Sequence, residues 1–126
     1  MSIIVPIRTA PGLNAREHHH DRAKRVRKER EAVAWMLKGV KRPALPCSVR
    51  LTRIAPSNGL DNDNLVGSVK AIRDQVAEWL GVDDRHSDQV RYVYAQQRGA
   101  WGVCIEFGEM VVDAQFVPLR IGQAHA

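Results

Sequence analysis

From Leu65 to Leu80 the apolar residues Leu65, Val69, Ile72, Val76 and Leu80 recur at steps of four, three, four and four. That is the spacing of one apolar stripe on an α-helix, with the rest of the surface left polar. Asp63 is a candidate N-cap, because a carboxylate there can accept a hydrogen bond from a free backbone N–H of the first turn. Gly81 is placed to end the helix. On the polar face, Lys70 falls nearly in line with Asp63, Gly67 leaves space between them, and Asp74 follows Lys70 at i+4, where the two can pair.

Other stretches alternate instead. Ile3 to Ile7 is short and β-branched and reads as a first strand. CSVRLTRI, Cys47 to Ile54, puts Cys47, Val49, Leu51 and Arg53 on one face, and Ser48, Arg50, Thr52 and Ile54 on the other, with Arg50 available on an outer face. VRYVYAQQ, Val90 to Gln97, alternates in the same way, and Gly102 to Phe107 follows after Arg98-Gly99-Ala100 as its expected hairpin partner. A helix is expected over Asp21 to Leu37, with Val26, Val33, Met36 and Leu37 as an imperfect stripe. Trp35 lands on the basic side of that helix, where it could pack on a loop, meet a second subunit or stack on a base. A last apolar run, Met110 to Val112, could add a strand or a dimer arm.

The predicted order is β-α-β-α-β-β. It describes a single small α/β (α+β) domain of 126 residues, with helices packed on a mixed sheet. The core spans about residues 3–107 and the C-terminal extension 108–126. No apolar run approaches a transmembrane length, and the N-terminus lacks the charged and apolar regions of a secretory signal. The two cysteines, Cys47 and Cys104, sit in strand-like runs. They argue for buried thiols, a reducing and therefore cytoplasmic setting, and no disulfide framework.

Charge changes the picture. Residues 1–55 carry 13 Lys/Arg and 4 Asp/Glu, whereas residues 56–126 carry 6 and 10. A basic half joined to an acidic half suits a protein that grips a polyanion with one part and a cation with the other. The cations gather on the first helix at Arg22, Lys24, Arg25, Arg27, Lys28 and Arg30, which could hold phosphates without reading sequence. The acids flank the central helix: Asp61 and Asp63 before it, Asp83, Asp84 and Asp88 after it. The run His18-His19-His20 reads as an exposed loop or helix start near phosphate. Three adjacent histidines are not expected to share one face, and a chelating pair with Asp21 is the alternative. A calcium-binding domain built on the DNDN run is a third reading that fares badly, because counting from Asp61 the EF-hand Gly and Glu positions hold Val66 and Ile72.

LDNDNL, then Lys70, then GVDD and the following Gln89-Val90 resemble the RusA family of Holliday-junction resolvases. The resemblance covers roughly Pro6 to Phe107 and is strongest in the central stretch. It implies a compact homodimeric nuclease of phage or prophage origin that takes Mg2+, with Mn2+ as a substitute, and acts on branched DNA such as a four-way junction. By the same resemblance Asp61, Asp63 and Asp84 match the acidic metal-binding residues, with Asp83 a second candidate from its pair, and Lys70 matches the active-site lysine. Asn14, in a Pro-containing loop, matches a DNA-binding position. Two extra residues before Gln89 keep Asp88 open beside Asp84, and a shift around Lys70 keeps Arg73 open beside it. Carboxylates are the hard oxygen donors that Mg2+ prefers, and a lysine nearby offsets phosphate charge as a phosphodiester is cut. The alternative is a non-catalytic nucleic-acid-binding protein on the same fold.

Overall fold

The computed structural model describes residues 2–11, 18–83, 88–110 and 116–119. Along the chain run β1 (Ser2–Val5), α1 (His19–Leu37), β2 (Cys47–Ala55), α2 (Asn62–Ser68), α3 (Lys70–Leu80), β3 (Val90–Arg98) and β4 (Gly102–Glu109). The four strands form one mixed sheet in the order β1-β4-β2-β3. β2 pairs parallel with β3 and antiparallel with β4, and β1 pairs antiparallel with β4. The expected α+β class, single domain and mixed sheet are all present.

The central helix forms, but in two pieces. All five residues of the stripe are buried, from Leu65 through Leu80. The break falls at Val69, whose backbone leaves helical geometry at φ −111°, ψ 12°. Its cause is local. The buried Ser68 hydroxyl donates back to the Leu65 carbonyl at 2.7 Å, and the Val69 N–H turns to the Val66 carbonyl at 3.3 Å. Ser back-bonding beside a glycine bends helices in this way. The N-cap is Asp61, not Asp63: its Oδ1 accepts the Asn64 N–H at 2.9 Å. Gly81 closes α3 in the left-handed conformation at φ 75°, as expected of a C-terminal glycine.

The expected β3–β4 hairpin does not form. β2 lies between the two strands, and Gly99-Ala100-Trp101 carries the chain across its end, with the Gly99 N–H donating to the Ala55 carbonyl at 3.0 Å. Two strand spacings are about 9.6 Å, which a three-residue link can span. As the central strand β2 is buried on both faces, so Ser48, Thr52 and Arg53 are buried with Cys47, Val49 and Leu51. β1 stops at Val5 because Pro6 has no N–H to continue the ladder.

The core lies between the sheet and the helices. Val33 and Leu37 of α1 and Val69, Ile72 and Val76 meet Val49, Leu51, Val103, Ile105 and Phe107. Each such side chain contributes about 1.5–3 kcal/mol on burial. Arg30 ties α1 to α3 through Gln75 (2.9 Å) and Glu78 (2.8 Å). Of the expected α1 stripe, Val33 and Leu37 are buried, Val26 is half-buried and Met36 is exposed. Residues 116–119 run beside the end of β4, with Pro118 bridging Gly108; Val111 and Val112 of the expected last run lie outside the described residues. Both cysteines are free, Cys47 buried and Cys104 half-buried. Among the described residues no helix is long and apolar enough to cross a membrane.

Candidate nucleic-acid and metal site

Asp61 and Asp63 stand exposed at the head of α2. The loop that delivers them is pinned by Gln96 of β3, whose side-chain oxygen accepts the Leu60 N–H at 2.8 Å while its amide donates to the Leu60 carbonyl at 2.7 Å. A side chain on Gly59 would overlap the Gln96 amide, the nearest atom lying 2.9 Å from an added Cβ. Gln96 is thus a positioning residue that sequence reading missed. Its signal was weak, one of two glutamines at the end of an edge strand. One Asp61 oxygen caps the helix, leaving its other oxygen and the Asp63 carboxylate as hard donors. Mg2+ is commonly held by one or two carboxylates with water and phosphate oxygens completing its shell, so these two residues fit that ion.

Lys70 opens α3 and is exposed. Its ammonium pairs with Asp74 at 3.0 Å, the expected i+4 partner. Arg73 reaches the other Asp74 oxygen at 3.4 Å, and its guanidinium lies 5.9 Å from the Tyr92 ring centroid. Lys70 and Arg73, the two candidates for the phosphate-neutralising cation, therefore share one carboxylate.

Among the described residues, Asp83 and Asp88 are not brought to Asp61 and Asp63. Asp83 follows Gly81, beyond the C-terminal end of α3, in a hollow it shares with Arg30, Asp74 and Glu78. α3 alone is eleven residues, or about 16 Å at the helical rise. Asp88 lies just before Val90, the residue of β3 paired with Cys47, whereas Gln96, which holds Leu60, is paired with Arg53. Six residues of strand put those two ends of β3 about 20 Å apart. Among the described residues the three-member group of His, Cys, Asp or Glu ligand atoms that gathers is His18, His19 and His20, not the aspartates. Asp84 and Asn14 lie outside the described residues.

The histidines do come together, contrary to the expectation for three in a row. His18 caps α1 by accepting the His20 N–H at 3.3 Å, and this folds the three rings onto one another at centroid distances of 4.0–5.1 Å. Their ligand atoms lie within 4.8 Å, exposed. They also sit at the positive end of the helix dipole beside Arg22, a setting that favours an anion over a dication.

The basic helix divides by exposure. Arg22, Lys24, Arg27 and Lys28 face solvent, whereas Arg25 is half-buried and held by the buried Glu29 at 2.7 Å, and Arg30 is turned to α3. Arg50, expected to be available on an outer face, is instead engaged. It forms a two-pronged bond to Glu106, directly opposite on β4, at 2.9 and 3.0 Å, and lies 4.5 Å from the Phe116 ring centroid. Arg53 is buried against Thr9 and Trp101, and desolvation lowers its pKa from the usual arginine value. Comparison of the chain with protein-family models, curated proteins and solved structures finds no match.

Proposed function

We propose that this protein is a Mg2+-dependent, structure-selective endodeoxyribonuclease of the RusA type that cuts branched DNA such as a four-way junction. The observation that carries the reading is the exposed Asp61–Asp63 pair, fixed at the head of α2 by the Leu60–Gln96 bonds, in a chain whose opposite half carries a solvent-facing basic helix. Asp61 and Asp63 would hold the metal, with water and phosphate oxygens completing its shell; Asp83, beyond the far end of α3, would not join them. Bound there, Mg2+ would polarise the scissile phosphate and activate the attacking water. Lys70 is exposed and able to leave Asp74 for a phosphate oxygen, and Arg22, Lys24, Arg27 and Lys28 hold the DNA backbone. A two-fold homodimer would present two equal sites to the two-fold symmetric junction. A cytoplasmic setting belongs to the same proposal, supported by the free thiols.

A second reading has its own observation. Asp83 and Asp88 stand at the far end of the helix and strand from Asp61. That arrangement favours a nucleic-acid-binding protein that keeps the fold without efficient cleavage.

One experiment separates them. A synthetic four-way junction and a linear duplex of the same arms are incubated at low salt with Mg2+ or EDTA, using wild type and Asp63→Asn. Paired nicks on the junction alone, requiring Mg2+ and lost in the variant, are expected. Salt-sensitive binding without cleavage in Mg2+ or Mn2+ overturns the nuclease reading.

A further inference from the structure

Trp35 is 72% exposed on a helix whose core side is buried, the most exposed large apolar side chain described. It does not pack on a loop. Lys38, one turn on, places its ammonium 5.5 Å from the indole centroid. Trp35 borders a hollow between α1 and α3 that also takes in Trp79 and Arg42. A second hollow continues along α1 toward His19, and Glu31, Ala34 and Gln75 line both. Together they make one groove along most of α1, about 28 Å for nineteen residues.

The groove is lined by apolar and charged side chains. Ala23, Val26 and Ala34 give it apolar surface. Arg22, Arg27, Arg30, Lys38 and Arg42 line it against two carboxylates, Glu31 and Glu78. Arg30 is committed to Gln75 and Glu78, and Arg42 donates to the Trp79 carbonyl at 2.6 Å. Those bonds fix the guanidinium groups along the groove.

We infer that this groove binds an unpaired strand of nucleic acid, with a base stacked on Trp35 and the neighbouring phosphates held by Lys38 and the α1 arginines. An aromatic platform inside a basic groove is what single strands require, because every base offers a π-face and the backbone offers only negative charge. Duplex DNA uses the cations but leaves Trp35 without a base to stack on. A second copy of the chain is a poor occupant, since a two-fold contact through this face would set the same five cations against themselves. The inference rests on the nucleic-acid part of the reading above and supplies its substrate class: DNA with unpaired bases, as at a branch or flap. It does not depend on cleavage.

The test is fluorescence anisotropy in EDTA, with a labelled oligothymidine and a labelled duplex, for wild type, Trp35→Ala and Trp35→Phe. Sedimentation of wild type and Trp35→Ala runs alongside. Because Trp35 is exposed, neither change opens a cavity, and a thermal melt checks this. Trp35→Ala is expected to weaken oligothymidine binding about 5- to 150-fold, to change duplex binding less than about twofold, and to remove most of the tryptophan quenching caused by the oligonucleotide. Trp35→Phe should retain most of the affinity. Equal oligothymidine affinity in wild type and Trp35→Ala overturns the inference. So does an equal loss on both ligands, or a wild-type dimer that becomes monomeric in Trp35→Ala. A chain that fails to cut junctions yet shows the Trp35 effect loses the nuclease reading and keeps this one.

Discussion

Asp61 has one role that the structure shows and one that the proposed function adds, and one set of substitutions can separate them. Its carboxylate caps α2 through the 2.9 Å bond from the Asn64 N–H, and the proposed function gives it a metal. α2 has only seven residues, too few to be stable on its own, so its first turn depends on the cap and on burial of Leu65. Asp61 is exposed, so truncation opens no core cavity and the cost is that of the cap, about 0.5–2 kcal/mol for Asp61→Ala. In a chain of this length about 1 kcal/mol corresponds to a drop of roughly 3–5 °C in Tm. Asp61→Asn keeps a side-chain oxygen of equal capping rank and gives up only the charge at the helix N-terminus, about 0.3–1 kcal/mol at low salt and less at high salt. Thermal melts by circular dichroism at low and high salt read the cap, and junction nicking in Mg2+ reads the metal. Asp61→Ala should lose both stability and nicking, whereas Asp61→Asn at high salt should melt near wild type and still fail to nick. If Asp61→Ala melts with wild type, the cap is not stabilising α2. If Asp61→Asn nicks at the wild-type rate, Asp61 holds no metal.

Two further outcomes follow from the sheet. Glu106→Gln should lower stability by about 1–2 kcal/mol, because it removes the charge from a half-buried, two-pronged pair with Arg50; an unchanged denaturant midpoint would mean that solvent screens the pair. Burial pushes the Cys47 thiol up to about 11, against roughly 8.5 in an unfolded chain. Between those values the folded state keeps a proton that the unfolded state releases, so unfolding free energy is full below about pH 8.5 and falls as pH rises toward 11. Urea titrations at pH 8 and pH 10.5 should show a smaller pH-dependent loss in Cys47→Ala than in wild type, and equal losses would refute the assignment.

What the sequence made legible was whatever one element decides alone. The stripe from Leu65 to Leu80 is periodic because one face must be buried, and all five residues are. The Lys70–Asp74 pair follows from helical spacing. The kink at Val69 was hidden because it turns on a hydroxyl rotamer of Ser68, and the exchange of Asp63 for Asp61 as cap is a two-residue ambiguity at a helix start. The strand order needed non-local knowledge. Arg98-Gly99-Ala100 reads as a tight hairpin connection until β2 is known to lie between the strands it joins. Ser48 and Thr52 in β2 alternate like an exposed face, yet the central position buries them.

The same topology governs how the acidic clusters can work together. In a parallel β-α-β unit the first strand, the crossover and the second strand run up, down and up. Residues that leave the first strand and residues that enter the second are therefore at opposite ends of the sheet. Asp61 and Asp63 leave β2, and Asp88 enters β3, whose first residue is paired with Cys47 at the start of β2. Each cluster adjoins a strand in the sequence, but the strand ends are different ones. Under the proposed function a metal at Asp61 and Asp63 would thus be anchored by the head of α2 and by the loop that Gln96 pins, not by Asp88. Lys70, the first residue after the kink, is the nearest candidate along the chain to offset phosphate charge there. Under the proposed function the kink would matter: it starts a second helix at Lys70, so the direction of the lysine relative to Asp63 would follow from the break at Val69 and not from the 100° step of one continuous helix.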